Sequence, residues 1–135
     1  SAGNLEALKA PAIGKMNENH YLSMAGQEVF KFAIKVIPES INAVLQKANL
    51  TLDDIDYVVC HQANYRIIKN VYKKMKSSEE KFYMNLQEYG NTSAASIPLA
   101  LGEMDEKGLL KSGNKIICVG FGGGLTWGAV LMEWS

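Results

Sequence analysis

Residues 57–61 read YVVCH, an apolar run without polar–apolar alternation that ends on a cysteine and a histidine. Such a run fits a strand buried on both faces, and a strand of that kind needs covering layers above and below it. The segments around it supply the cover. Over residues 27–49, Phe30, Ala33, Ile37, Ile41, Val44, Leu45 and Ala48 recur at steps of three and four, which places them on one helical face. Pro38 lies inside that run and removes one backbone donor, so a kink is expected there. Thr51 and Asp54 have the spacing of a cap on a short turn.

The alternation continues to the end of the chain. Residues 63–75 read as a helix with Ile67, Ile68, Val71, Tyr72 and Met75 on its apolar face. KFYMNL, residues 81–86, reads as a strand, and Gly90 with Asn91 marks the turn after it. Residues 92–107 read as a third helix, with Gly108 as its C-terminal stop. The first half of that helix is mostly Ala, Ser and Thr, which permits close approach and predicts a central position. KIICVG and TWGAVLMEW are two further strands joined by FGGGL. The order α-β-α-β-α-β-β implies an α/β layered domain with a mixed, mainly parallel sheet.

Composition bounds the partners. The chain has 135 residues, 47% of them hydrophobic, which suits one domain with a real core. Fourteen basic and fourteen acidic side chains cancel, so no global charge draws it to nucleic acid. Two cysteines in unlike contexts give no disulfide framework, and a reducing cytoplasm is the expected compartment. No apolar run approaches the ~20 residues of a membrane span, and no signal peptide is read. Residues 1–19 show no sustained period and read as a loop or a cut end; residues 20–135 form the domain.

Neighbouring side chains on a strand point to opposite faces. Cys60 and His61 are neighbours, so they are not read as a hydrogen-bonded nucleophile and base. Cys118 sits between Ile117 and Val119 and reads as a small buried apolar group. His61 ends one strand, Asn91 follows the next, and Gly122, Gly123 and Gly124 follow the third. In parallel α/β sheets ligands collect at the carboxyl ends of strands, so these three features mark one candidate site. The glycine run joins two strands instead of opening a helix, which argues against a phosphate cradle. Successive glycines there allow backbone to approach a ligand closely. Arg66, Lys69, Lys73 and Lys76 fall on one face, with Lys74 beside it; the spacing fits a solvated face or a docking surface equally. His20 has no chemical context, and Trp127 and Trp134 read as packing residues.

HQANYRII, YGNTSAASIPLAL, GFGGGLTWGAVLMEW and LSMAGQEVFKFA, in one chain, resemble the carboxyl-terminal half of the β-ketoacyl-acyl carrier protein synthase III family. The resemblance implies a thiolase-like fold and a Cys-His-Asn condensing enzyme. Such an enzyme joins an acyl-CoA primer to malonyl-acyl carrier protein with no cofactor and no metal. It implies His61 and Asn91 as catalytic donors to an enolate, Gly123 as a backbone donor to a second oxyanion, and Phe121 as a gate. Met24, Gly26, Asn64, Gly122 and Gly124 are implied as substrate-binding. Lys31, Arg66, Lys73 and Lys74 are implied as the docking face for acyl carrier protein. A cytoplasmic homodimer is implied for the full-length protein. The related readings are a non-catalytic carrier-binding module and a chalcone-synthase-like condensing enzyme. The second usually has a proline in the glycine loop, where this chain reads Phe121-Gly122-Gly123-Gly124. Family members usually carry proline where Cys60 stands. The resemblance further implies that the nucleophile-bearing half and a mid-sheet strand precede Ser1. The isolated chain is then expected to lack condensing activity, and to self-associate or fill the gap with residues 20–24.

Overall fold

A computed structural model describes residues 8–9 and 23–135, with side chains from Ala25 onward. In chain order the elements are β1 (Leu8–Lys9), β2 (Ser23–Met24), α1 (Gly26–Ala48), β3 (Tyr57–Cys60), α2 (Tyr65–Lys74), α3 (Leu86–Tyr89), α4 (Ser96–Glu106), β4 (Lys115–Gly122) and β5 (Thr126–Glu133). The rest of the stretch expected as a loop, like His20, lies outside the described residues.

Helix α1 buries Val29, Ala33, Val36, Ile37, Ile41 and Leu45, close to the stripe expected from spacing. It runs unbroken past Pro38, and the nearby Ser40 hydroxyl donates to the Val36 carbonyl at 2.7 Å. Asn49 ends it in the left-handed region (φ 54°), which a short polar side chain tolerates. The following turn is capped as expected: the Thr51 N–H donates to Asp54 Oδ2 at 2.7 Å. Asn64 caps α2 by accepting the Arg66 N–H at 2.8 Å.

Strand β3 pairs in parallel with β4, with Val58 opposite Ile117 and Cys60 opposite Val119. Strand β5 pairs antiparallel with β4 along its whole length. The sheet is therefore mixed, and the antiparallel ladder is the longer one. Helices cover both faces. Val58, Cys60, Ile117 and Val119 pack with Ala33, Ile37 and Ile41 of α1 and Ile67, Ile68 and Val71 of α2. Val59, Ile116 and Cys118 point the other way, onto Ala100 and Met104 of α4. The two-residue period thus sends each apolar run into two separate cores. Among the described residues, no helix is long and apolar enough to cross a membrane.

Four expectations change. Residues 81–86 do not form a strand; a single parallel bridge joins Val58 to Phe82. The next rung is taken by a side chain: Gln62 Nε2 donates to the Tyr83 carbonyl at 3.3 Å, and Gln62 Oε1 accepts the Asn85 N–H at 3.1 Å. The third helix starts at Ser96 and not at residue 92: Ser93–Ala95 form a separate 3₁₀ turn with exposed side chains, and α4 packs onto the sheet through one stripe of Ser96, Ala100 and Met104. Strands β3, β4 and β5 adjoin without a gap, and β2 pairs with β1 in a separate sheet, so residues 23–24 fill no vacancy; residues 20–22 lie outside the described residues. Lys76 leaves the basic stripe, since α2 stops at Lys74 and Lys76 takes φ 54°. Exposed apolar surface is present, in Trp127 and Val130 of β5 and Leu99 of α4.

Candidate active site

The carboxyl ends of β3 and β4 and the loop before α4 surround a cleft of about 880 Å³. His61, Asn91, Ile97, Phe121, Gly122, Gly123, Leu125 and Trp127 are among the residues lining it. His61, Asn91 and the glycine loop, widely separated in sequence, are thereby brought together, although Asn91 follows the short helix α3 and not a strand. The His61 N–H donates to the Val119 carbonyl at 2.8 Å, so strand pairing holds the backbone at His61 itself.

Cys60 turns away from the cleft. It is buried in the α1/α2 core, and burial pushes its thiol up to about 12. Cys118 belongs to the opposite core, where burial raises its thiol to about 11. Both stay protonated near neutral pH, and a thiol is a poor nucleophile compared with its thiolate.

His61 is half-buried, and its ring stands edge-on to Phe121 with centroids 5.2 Å apart. Its Nδ1 lies 2.7 Å from Ser96 Oγ, which leaves Nε2 as the ring nitrogen available to the cleft. Burial lowers its pKa below the ordinary 6.5, so the imidazole is neutral at neutral pH. Asn91 follows Gly90, whose φ of 67° suits a residue without Cβ. The Asn91 Oδ1 accepts the Ser93 N–H at 3.0 Å, which leaves the Nδ2 donors for the cleft. The two side chains can therefore offer neutral N–H groups to an anionic oxygen.

The glycine loop turns β4 into β5. Gly124 has φ 129°, and a Cβ there would stand 2.8 Å from Thr126 Cγ2, so only glycine fits. The Thr126 hydroxyl closes the turn by donating to the Gly123 carbonyl at 3.0 Å. A strand follows, with no helix N-terminus to receive a phosphate.

A family model described as 3-oxoacyl-(acyl-carrier-protein) synthase III C terminal matches residues 45–134. The chain belongs to the synthase III family. The beta-ketoacyl-(acyl-carrier-protein) synthase III of Clostridium novyi is 61% identical over 114 residues, covering 84% of this chain and 35% of that protein. The Clostridium tetani protein of the same name is 58% identical over 117 residues, covering 87% and 35%. A crystal structure of the Thermus thermophilus synthase III superimposes with a TM-score of 0.90 at 38% identity, covering 97% of this chain and 42% of that one. The chain thus spans about a third of the length of the curated relatives it matches, 35% in each case above.

Of the residues that the synthase III resemblance singles out, His61, Asn91, Phe121, Gly122 and Gly123 line the cleft. Gly26 opens α1, Asn64 caps α2 and Gly124 shapes the turn; none of the three lines the cleft. The side chain of Met24 lies outside the described residues. Lys31, Arg66, Lys73 and Lys74 are exposed on α1 and α2, whereas Lys69 stands over the Tyr65 ring at 5.3 Å. Among the described residues, no cluster of three His, Cys, Asp or Glu side chains could hold a metal ion. Sequence reasoning missed Ser96 and Gln62, although both sit inside the quoted motifs. It also read Trp127 as packing alone; the ring packs on Phe32 at 5.3 Å and lines the cleft as well.

The lowered pKa of His61 has a thermodynamic sign. The folded protein binds this proton more weakly than the unfolded chain, so the group's contribution to stability is complete above pH 6.5 and is lost as pH falls through the lowered value. An NMR titration of the His61 ring should give a midpoint below 6.5. A midpoint at or above that value would contradict the burial described.

Proposed function

We propose that this chain supplies the enolate-stabilising half of an enzyme that starts fatty acid synthesis. The reaction is the decarboxylative condensation of an acyl-CoA primer with malonyl-acyl carrier protein. The observation carrying this reading is that His61 and Asn91 face one cleft, each with its other polar atom already occupied behind.

The chemistry follows from charge. A cysteine elsewhere in the full-length protein attacks the primer thioester, becomes acylated and releases CoA. The malonyl thioester then loses CO₂: the bond to the carboxylate carbon breaks, and its electron pair moves into an enolate with charge on the thioester oxygen. That oxygen needs fixed donors at the moment charge develops, because donors already in place need not reorganise. His61 Nε2–H and Asn91 Nδ2–H fill that role. The enolate carbon attacks the acyl-cysteine carbonyl, and collapse of the tetrahedral adduct expels the cysteine thiolate. The Gly123 N–H serves the second oxyanion, and Phe121 keeps water from the enolate. CO₂ loss generates the carbanion, so no cofactor is required. Both thiols of this chain are buried and protonated, which fits a nucleophile located elsewhere. Lys31, Arg66, Lys73 and Lys74 form the docking face for the acidic carrier protein.

His61→Ala or Asn91→Ala in the full-length enzyme should lower malonyl decarboxylation by ~10²–10³, the usual cost of one oxyanion donor. Acylation of the cysteine by acyl-CoA, followed by mass spectrometry, should remain. Equal loss of both half-reactions would contradict the roles assigned. Replacing Arg66, Lys73 and Lys74 by Ala should raise KM for malonyl-carrier protein at low salt. The effect should shrink toward ~0.15 M salt, where screening acts over about 8 Å. An unchanged KM at low salt would reduce these residues to a solvated face.

A further inference from the structure

The groups behind His61 fix its protonation pattern as well as its place. Ser96, the first residue of α4, is 2% exposed, so its hydroxyl must find partners within the protein. A hydroxyl has one proton to give and two lone pairs to offer. One lone pair takes the Gln62 backbone N–H at 3.2 Å, a contact whose direction is certain because an amide nitrogen only donates. The remaining contact is with His61 Nδ1 at 2.7 Å.

Two arrangements satisfy that distance. If Nδ1 carried the hydrogen, it would donate to the second lone pair, and the Ser96 proton would need another acceptor. Among the described residues, His61 Nδ1 is the one acceptor within hydrogen-bonding distance of that hydroxyl. The first arrangement therefore strands a buried proton, whereas donation from Ser96 to a bare Nδ1 leaves nothing unpaired. Neighbouring bonds hold the geometry. Gln62 is fully buried, donates from Nε2 to the Cys60 carbonyl at 2.8 Å and accepts the Asn85 N–H through Oε1.

We propose that Ser96 is a positioning residue whose hydroxyl donates to His61 Nδ1 and so holds the ring as the Nε2–H tautomer, with its hydrogen presented to the cleft. The use made of that hydrogen rests on the enolate reading above; the tautomer itself rests on the hydrogen bonds. The same arrangement opposes the imidazolium. A doubly protonated ring would have to donate from Nδ1 as well, which would again orphan the Ser96 proton. Burial and Ser96 thus act in one direction on His61.

Nitrogen NMR of the full-length protein, labelled at histidine and recorded near neutral pH, tests this without any substitution at Ser96. The His61 signals, assigned by their loss in His61→Ala, should show a protonated Nε2 and an unprotonated Nδ1. A protonated Nδ1, or averaging between the two tautomers, would overturn the proposal. A variant series adds a functional readout. A triad histidine held in the wrong tautomer loses ~10⁴ in rate, so losing only the fixing partner in Ser96→Ala should lower malonyl decarboxylation less, by about tenfold, with KM little changed. The His61 nitrogen pattern should shift with it, while Ser96→Thr, which keeps a hydroxyl, should retain both rate and pattern. An unchanged pattern in Ser96→Ala would overturn the proposal. If Ser96→Ala does not fold, the spectrum of the unaltered protein still decides. Undiminished decarboxylation in His61→Ala would remove the enolate reading while leaving the tautomer result intact.

Discussion

The buried amide of Gln62 is the constraint on which the site depends. It has no exposed surface, and a buried amide is tolerable only with its donors and acceptor engaged. Its side chain reaches the Cys60 carbonyl, the Tyr83 carbonyl and the Asn85 N–H, while its backbone N–H reaches Ser96. Asn85 in turn donates to Glu103 of α4 at 2.6 Å. The end of β3, the segment after Phe82 and helix α4 are thereby tied into one body. His61 stands on the first of these, and Asn91 stands between the other two. Their relative placement is inherited from this polar knot, which the His61 ring joins through Ser96 Oγ.

Electrostatics and packing agree on the state of the groups in that body. The thiols of Cys60 and Cys118 stay protonated because each is sunk in an apolar core on its own side of the sheet. The His61 ring stays neutral because its partial burial disfavours charge. The cleft consequently offers N–H dipoles, with no thiolate and no imidazolium from this chain. Fixed dipoles of that sort favour charge that develops in their midst.

Much of this was legible in the sequence, for reasons specific to each element. The runs around Val59 and Ile117 could be read as doubly buried strands because they lack polar positions, and the two-residue period then separated Cys60 from His61. Helix α1 was legible because its stripe is long. Residues 81–86 misled because Phe82, Tyr83, Met84 and Leu86 make the segment look like a strand, and only the fold reveals that the Gln62 side chain takes over the pairing after Phe82. Ser96 and Gln62 could not be read, since a lone serine and a lone glutamine 34 residues apart carry no periodic signal of their contact. Strand order was equally hidden. Apolar patterning states that a strand is buried, not which strand lies beside it, so the expected mid-sheet gap gave way to the contiguous β3–β4–β5 order.

The central claim is that His61 and Asn91 act on one oxygen. Its most direct test is a crystal structure of the full-length protein bound to a malonyl thioester analogue that cannot lose CO₂. The account predicts the thioester oxygen within hydrogen-bonding distance of both His61 Nε2 and Asn91 Nδ2, with the carboxylate pointing away from them. A thioester oxygen that meets neither donor, or a carboxylate lodged between the two, would contradict it.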